Sequence, residues 1–222
     1  MQFSRGIAAA AMVSSVLALA ACSFGRSPPP APVIRPATFT ALGLSAAYLS
    51  GDVVAGRRAR AAKMKAAGVR PLSATAVPTY MTTLEAELRR QTAGIGLDVV
   101  HLADGILIRI PAAFTFDAGS SAVKPQFDAT LLEIARTVKS SKQTYVDVLA
   151  HTDTTGTPQV NQALSDKRAT AVAGFLAKHG VGRARIASKG YGESAPLYNP
   201  DVTEMERAAN RRVEIRLVPY RG

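Results

Sequence analysis

The stretch Tyr145-Val146-Asp147-Val148-Leu149-Ala150-His151-Thr152-Asp153-Thr154-Thr155-Gly156-Thr157-Pro158 decides the fold. Val146, Val148 and Ala150 alternate on one side of an extended segment, which predicts a strand over Tyr145–Ala150. The polar Thr/Asp/Gly run after it is turn chemistry. Thr157-Pro158 then opens a helix over Pro158–His179, and Gly180 closes it. A strand followed by a helix that must return to the same sheet implies an α/β arrangement.

Working outward, the same grammar recurs. Tyr80–Thr92 reads as a helix with Leu84 and Leu88 on one face, ended by Gly94 and Gly96. Leu97–Leu102 and Gly105–Ile110 read as two strands joined by Ala103-Asp104. Lys124–Lys139 is a helix with Phe127, Leu131, Ile134, Ala135 and Val138 as its buried stripe. Arg185–Lys189 is a short strand, and Thr203-Glu204-Met205-Glu206 is a capping box opening a short helix. Val213, Ile215 and Leu217 mark a last strand. The expected fold is an α+β two-layer sandwich, a mixed sheet with helices on one side. There is no Trp, so the core rests on Leu, Ile, Val and Ala.

The N-terminal part differs in character. After Arg5, residues 7–21 are apolar or small, a run too short to span a membrane comfortably and typical of a secretory signal. It ends Leu19-Ala20-Ala21-Cys22, which resembles a bacterial lipoprotein cleavage box. That resemblance implies that Cys22 becomes a lipidated N-terminus; the alternative is a signal peptide with an incidental cysteine. Cys22 is the only cysteine, so no internal disulfide is available. Ser23, not Asp, follows it, which in Gram-negative lipoproteins implies the outer membrane, facing the periplasm. Residues 22–40 are Pro-rich and read as an extended tether. Residues 41–76 are Ala/Gly-rich and then basic, from Arg57 to Arg70. The apolar part is either a small helix hairpin or loosely ordered. The basic part is either a solvated helix face or a surface for anionic headgroups. Residues 77–96 form a connecting helix, and 97–219 the main domain.

The net charge of +11 asks for anionic partners or simply confers solubility. Nucleic acid is disfavoured by the signal segment and by the scarcity of aromatic stacking platforms. There is no Gly-x-Ser-x-Gly, and His101, His151 and His179 lack zinc-ligand spacing, so an enzyme, a metal or a cofactor is not expected.

Two residues carry the functional expectation. Asp153 follows a strand end, where ligands of α/β folds tend to sit. Arg168 lies four residues after Leu164 on the apolar side of its helix, where an unpaired charge is costly. Together they would receive a guest bearing both an ammonium and a carboxylate. The competing readings are a permanent ion pair of Arg168 with Asp153 or Asp166, and simple turn chemistry for Asp153. Asn161 shares the Arg168 face near the helix start, Ser165 stands between them to orient the arginine, and Thr152 can offer a hydroxyl or amide. Gly119 lets backbone approach closely. Only one of Arg211 and Arg212 can face a given site.

The segments Phe116-Asp117, Ala150-His151-Thr152-Asp153-Thr154-Thr155-Gly156, Asn161 to Ala169, Gly190-Tyr191-Gly192-Glu193 and Asn210-Arg211-Arg212-Val213-Glu214 occur in that order. Over residues 97–218 the chain resembles the OmpA-like peptidoglycan-binding domain family. The resemblance implies a βαβαβ-type mixed sheet and non-covalent binding of the peptidoglycan stem peptide through its diaminopimelate. It places the key acid on Asp153 and the key base on Arg168. Thr152, Asn161 and Arg211 fall on supporting positions, and Gly119 and Ser120 on backbone contacts. One departure is Ala150, where many members have Gly. With a lipid anchor at Cys22, the expectation is a tether from outer membrane to wall, with envelope proteins as further partners.

Overall fold

The computed structural model describes Val54 and residues 56–222, all within one of the chain's two compact units, Ala31–Gly222. The expected signal segment, the lipidated Cys22 with its tether, and the Ala/Gly-rich stretch to residue 53 lie outside the described residues.

The helices are α1 (Arg57–Ala66), α2 (Val77–Thr92), a single turn α3 (Ala112–Thr115), α4 (Pro125–Ser140), α5 (Pro158–Lys178) and α6 (Glu204–Asn210). The strands are β1 (Asp98–Leu102), β2 (Gly105–Pro111), β3 (Thr144–Ala150), β4 (Ile186–Gly190) and β5 (Arg212–Pro219). They form one mixed sheet in the order β1-β2-β5-β3-β4. Only β3 and β4 run parallel, joined through α5 as a βαβ unit. The last strand inserts between β2 and β3, so the sheet closes only when the C-terminal segment arrives.

Alternation along the strands sends Ile106, Ile108, Val146, Val148, Val213 and Ile215 to the face covered by α2, α4 and α5. Leu88, Leu131, Ile134, Val172 and Leu176 meet them from the helices, each at most 1 % exposed. Fully burying such side chains contributes about 1.5–3 kcal/mol each.

Several elements depart from the sequence reading. Residues Ala112–Thr115, directly after β2, form a helical turn to which the sequence reading assigned no element. Pro111 has no N–H to extend the ladder, and the chain turns there instead. Arg185 belongs to a 3-10 turn, Arg183–Arg185, ahead of β4. Its guanidinium is buried because it donates to Val138 O at 2.8 Å and Ser141 O at 2.7 Å, capping the C-terminus of α4. On α5 the buried stripe is Asn161, Ser165, Arg168, Ala169 and Val172, while Val160 is 61 % exposed. The N-terminal half of this helix buries polar side chains because it meets polar backbone, that of the Asp153 loop and of Gly190 and Gly192 at and just past the end of β4.

The basic run is also not a purely solvated face. α1 lies against the second face of the sheet, where Met64 packs with Tyr145, Val218 and Tyr220. Arg60 is buried, and its Nη1 donates to Asp147 Oδ1 at 2.6 Å and to Arg185 O at 3.0 Å. This second face is charged beneath its cover: Arg109, Asp147, Arg212, Glu214 and Arg216 are all buried there.

Candidate functional site

The insertion of β5 beside β3 builds the site. Ala150 pairs with Val213, and the His151 N–H donates to Arg212 O at 2.9 Å. The chain on either side of that pairing therefore places Asp153 and Arg211 together. Arg211 Nη1 donates to Asp153 Oδ2 at 2.5 Å. Its Nη2 donates to Glu204 of α6. Burial pulls the Arg211 pKa down, but its bonds to Asp153 and Glu204 outweigh that and hold it above its ordinary value.

Arg168 reaches the same place from α5. Its Nε donates to Ser120 O at 2.8 Å and Nη2 to Asp117 O at 3.3 Å, with the guanidinium 5.1 Å over the Phe116 ring. Among the described residues Nη1 makes no hydrogen bond, and Arg168 has no salt bridge. The ion-pair reading of Arg168 is thereby set aside: Asp166 accepts from Gly190 N–H and Gln162 instead. Burial lowers the Arg168 pKa, with Arg211 adding to the effect and Asp153 opposing it.

Between these side chains lies an open cavity of about 820 Å³. Thr152, Asp153, Asn161, Arg168, Arg211 and Gly119 all line it. Ser120 contributes through the carbonyl that holds Arg168. Gly119 sits at φ +67°, with open space where a Cβ would be, so its role is the turn itself. The Thr152 hydroxyl is buried and makes no hydrogen bond among the described residues.

Asn161 is committed to the loop. Its Nδ2 donates to Asp153 O, Thr155 O and Glu193 Oε2, at 3.2, 3.1 and 2.6 Å. Ser165 does not orient Arg168; it donates to Gln162 O and accepts from the Gly192 N–H at 2.8 Å. Arg212 turns to the other face, donating to Glu214 at 2.7 Å. His151 goes with it, stacked 5.3 Å from Tyr191 and 3.5 Å from Glu214. Burial drives its pKa down to about 4, helped by Arg212 and opposed by Glu214. It is therefore neutral and turned away from Asp153.

Sequence reasoning missed part of the frame. Asp201 accepts from the backbone N–H and hydroxyl of Thr154, and Asn210 donates to Asp201 at 2.9 Å. Asn210 Oδ1 also accepts from Leu197 and Tyr198 N–H. These bonds fix the Asp153 loop against α6. The signal was present in Asn210-Arg211, but only the arginine attracted a role. Lys124, Phe116 and Glu204 also line the cavity.

Opposed charges thus line one cavity at the junction of a strand end, a helix and an inserted last strand. The chain belongs to the OmpA family, whose model matches residues 115–211. It is 36% identical to the peptidoglycan-associated lipoprotein of Pseudomonas aeruginosa over 52% of this chain and 67% of that protein. It is 39% identical to the probable lipoprotein YiaD of Escherichia coli, over 63% of this chain and 64%, just under two thirds, of that protein. Among solved structures, the cell wall anchor of the type VI secretion system from Pseudomonas aeruginosa superposes with a TM-score of 0.54 at 27% identity, covering 60% of this chain and 96% of that one.

Proposed function

We propose that this chain is a lipid-anchored outer-membrane protein that binds peptidoglycan non-covalently through the diaminopimelate of the stem peptide. The observation that carries this reading is the buried, unpaired Arg168 guanidinium beside Asp153 on one open cavity. Arg168 would take the free carboxylate of the guest, since two guanidinium nitrogens remain free or weakly engaged. Asp153 would take the ammonium, sharing its carboxylate with Arg211. Thr152 would add its hydroxyl, Asn161 would hold the loop, Gly119 would shape the turn at the cavity rim, and Ser120 would seat Arg168. A relative named peptidoglycan-associated and another titled a cell wall anchor support the same guest.

We read the site as one for binding. His151 faces the opposite side of the sheet, and Asp153 is held by Arg211. On this reading residues 97–219 are the binding domain, residues 22–40 the tether, and Cys22 the anchor in the outer membrane. The test is co-sedimentation of the full chain with insoluble cell wall. Retention that survives high salt and is competed by diaminopimelate-containing muropeptide is expected. Retention that competitor does not touch counts against the site.

A further inference from the structure

The end of the domain remote from the cavity is strongly basic, and the wall-binding site leaves it unused. α5 starts at the cavity wall and runs 21 residues, about 30 Å, to that end. Four separate segments converge there. Met64 docks on Tyr145 and Tyr220, which presents its neighbours Lys63 and Lys65 to solvent. Gln143 Nε2 donates to Arg70 O at 2.9 Å, bringing exposed Lys142 beside exposed Arg70. Leu72 pairs with Arg221, which is exposed. The Arg183–Arg185 turn packs against α1, and its Arg183 is exposed.

None of these six cations forms a salt bridge within the described residues. Asp104 is taken by Arg216, Glu85 by Arg89 and His101, and Asp147 by Arg60 and Arg57. A cluster this dense repels itself, which a fold tolerates at little benefit unless an anionic surface meets it. The cations come from separate exposed segments at the outer end of the fold, which suits a surface more than a strand of nucleic acid.

We propose that this basic pole docks on anionic phospholipid headgroups, leaving the cavity facing away from the bilayer. The inference goes beyond wall binding and does not depend on it. It gives the domain a fixed orientation on the membrane. Each cation near such a surface strengthens attachment about fivefold.

The test compares the full chain with its Lys63→Glu, Lys65→Glu, Lys142→Glu, Arg183→Glu variant. Both are sedimented with phosphatidylcholine vesicles and with vesicles that also contain phosphatidylglycerol. Any contribution of the N-terminal apolar segment is common to both proteins and both vesicles. The expected result is a phosphatidylglycerol preference that falls at least tenfold in the variant and fades at high salt. No preference in the unmodified chain, an undiminished preference in the variant, or equally tight binding to duplex DNA at the same salt would overturn it. The variant should still bind cell wall, so failure of one idea is distinguishable from failure of the other.

Discussion

Arg168 and Asp153 line the same cavity without a bond between them. Arg168 is held by the carbonyls of Ser120 and Asp117, and Asp153 by Arg211 and the Thr155 N–H. Two opposed charges are thus pre-positioned by separate partners and kept apart, which leaves room for a zwitterion between them.

The carboxylate grip should depend on fork geometry as well as charge. Arg168→Lys keeps the cation but loses the planar fork and its hold on Ser120. Its affinity for diaminopimelate-containing stem peptide should fall at least tenfold by calorimetry, with circular dichroism unchanged. A stem peptide with lysine in place of diaminopimelate lacks the terminal carboxylate and should bind the unmodified chain at least tenfold more weakly.

The docking of α1 should be visible in stability. Asp147 is fully buried and meets Arg60 at 2.6 Å and Arg57 at 3.5 Å. Arg60→Ala leaves that carboxylate under-compensated and should cost roughly 3–5 kcal/mol in urea unfolding. Arg60→Leu combined with Asp147→Leu should cost less than the sum of the single changes.

Acid should weaken the fold through His151. Its folded pKa is about 4, below the ordinary 6.5, so the fold accommodates the neutral ring. Between those values the unfolded chain binds more protons. Stability is therefore complete above about pH 6.5 and is lost as the pH falls toward 4, by up to roughly 3 kcal/mol. His151→Gln should flatten the slope of Tm against pH in that window.

β4 ends where it touches α5. A Cβ on Gly190 would lie 2.3 Å from Asp166 N and 2.4 Å from Ser165 Oγ. Gly190→Ala should therefore push the helix off the strand, costing about 1–3 kcal/mol and weakening peptide binding through the Arg168 end of α5. Thermal unfolding and the same calorimetric titration measure both effects.

Much of this was legible in the sequence. Val146, Val148 and Ala150 marked β3, Pro158 and Gly180 bracketed α5, and Thr203 with Glu206 marked the capping box that the structure contains. The cover on the second sheet face was not legible. Asp147 and Arg216 alternate out of phase with the apolar residues and look like solvent-facing positions. Asp147 is buried against Arg60, 87 residues away in the chain, and Arg216 against Asp104, 112 residues away, and no local pattern reports such pairings. Arg168 was recognisable because a charge on a buried helix face needs a reason. Asp201 and Asn210 were not, because their bonds organise a loop whose geometry exists only after folding.

The most direct measurement is calorimetric titration of the full chain with diaminopimelate-containing stem peptide, beside Asp153→Ala, Arg168→Ala and the double variant. Saturable binding by the unmodified chain, lost in the double variant while its fold persists, is the predicted result. Equal affinity in the two folded proteins would contradict the assignment of the guest to this cavity.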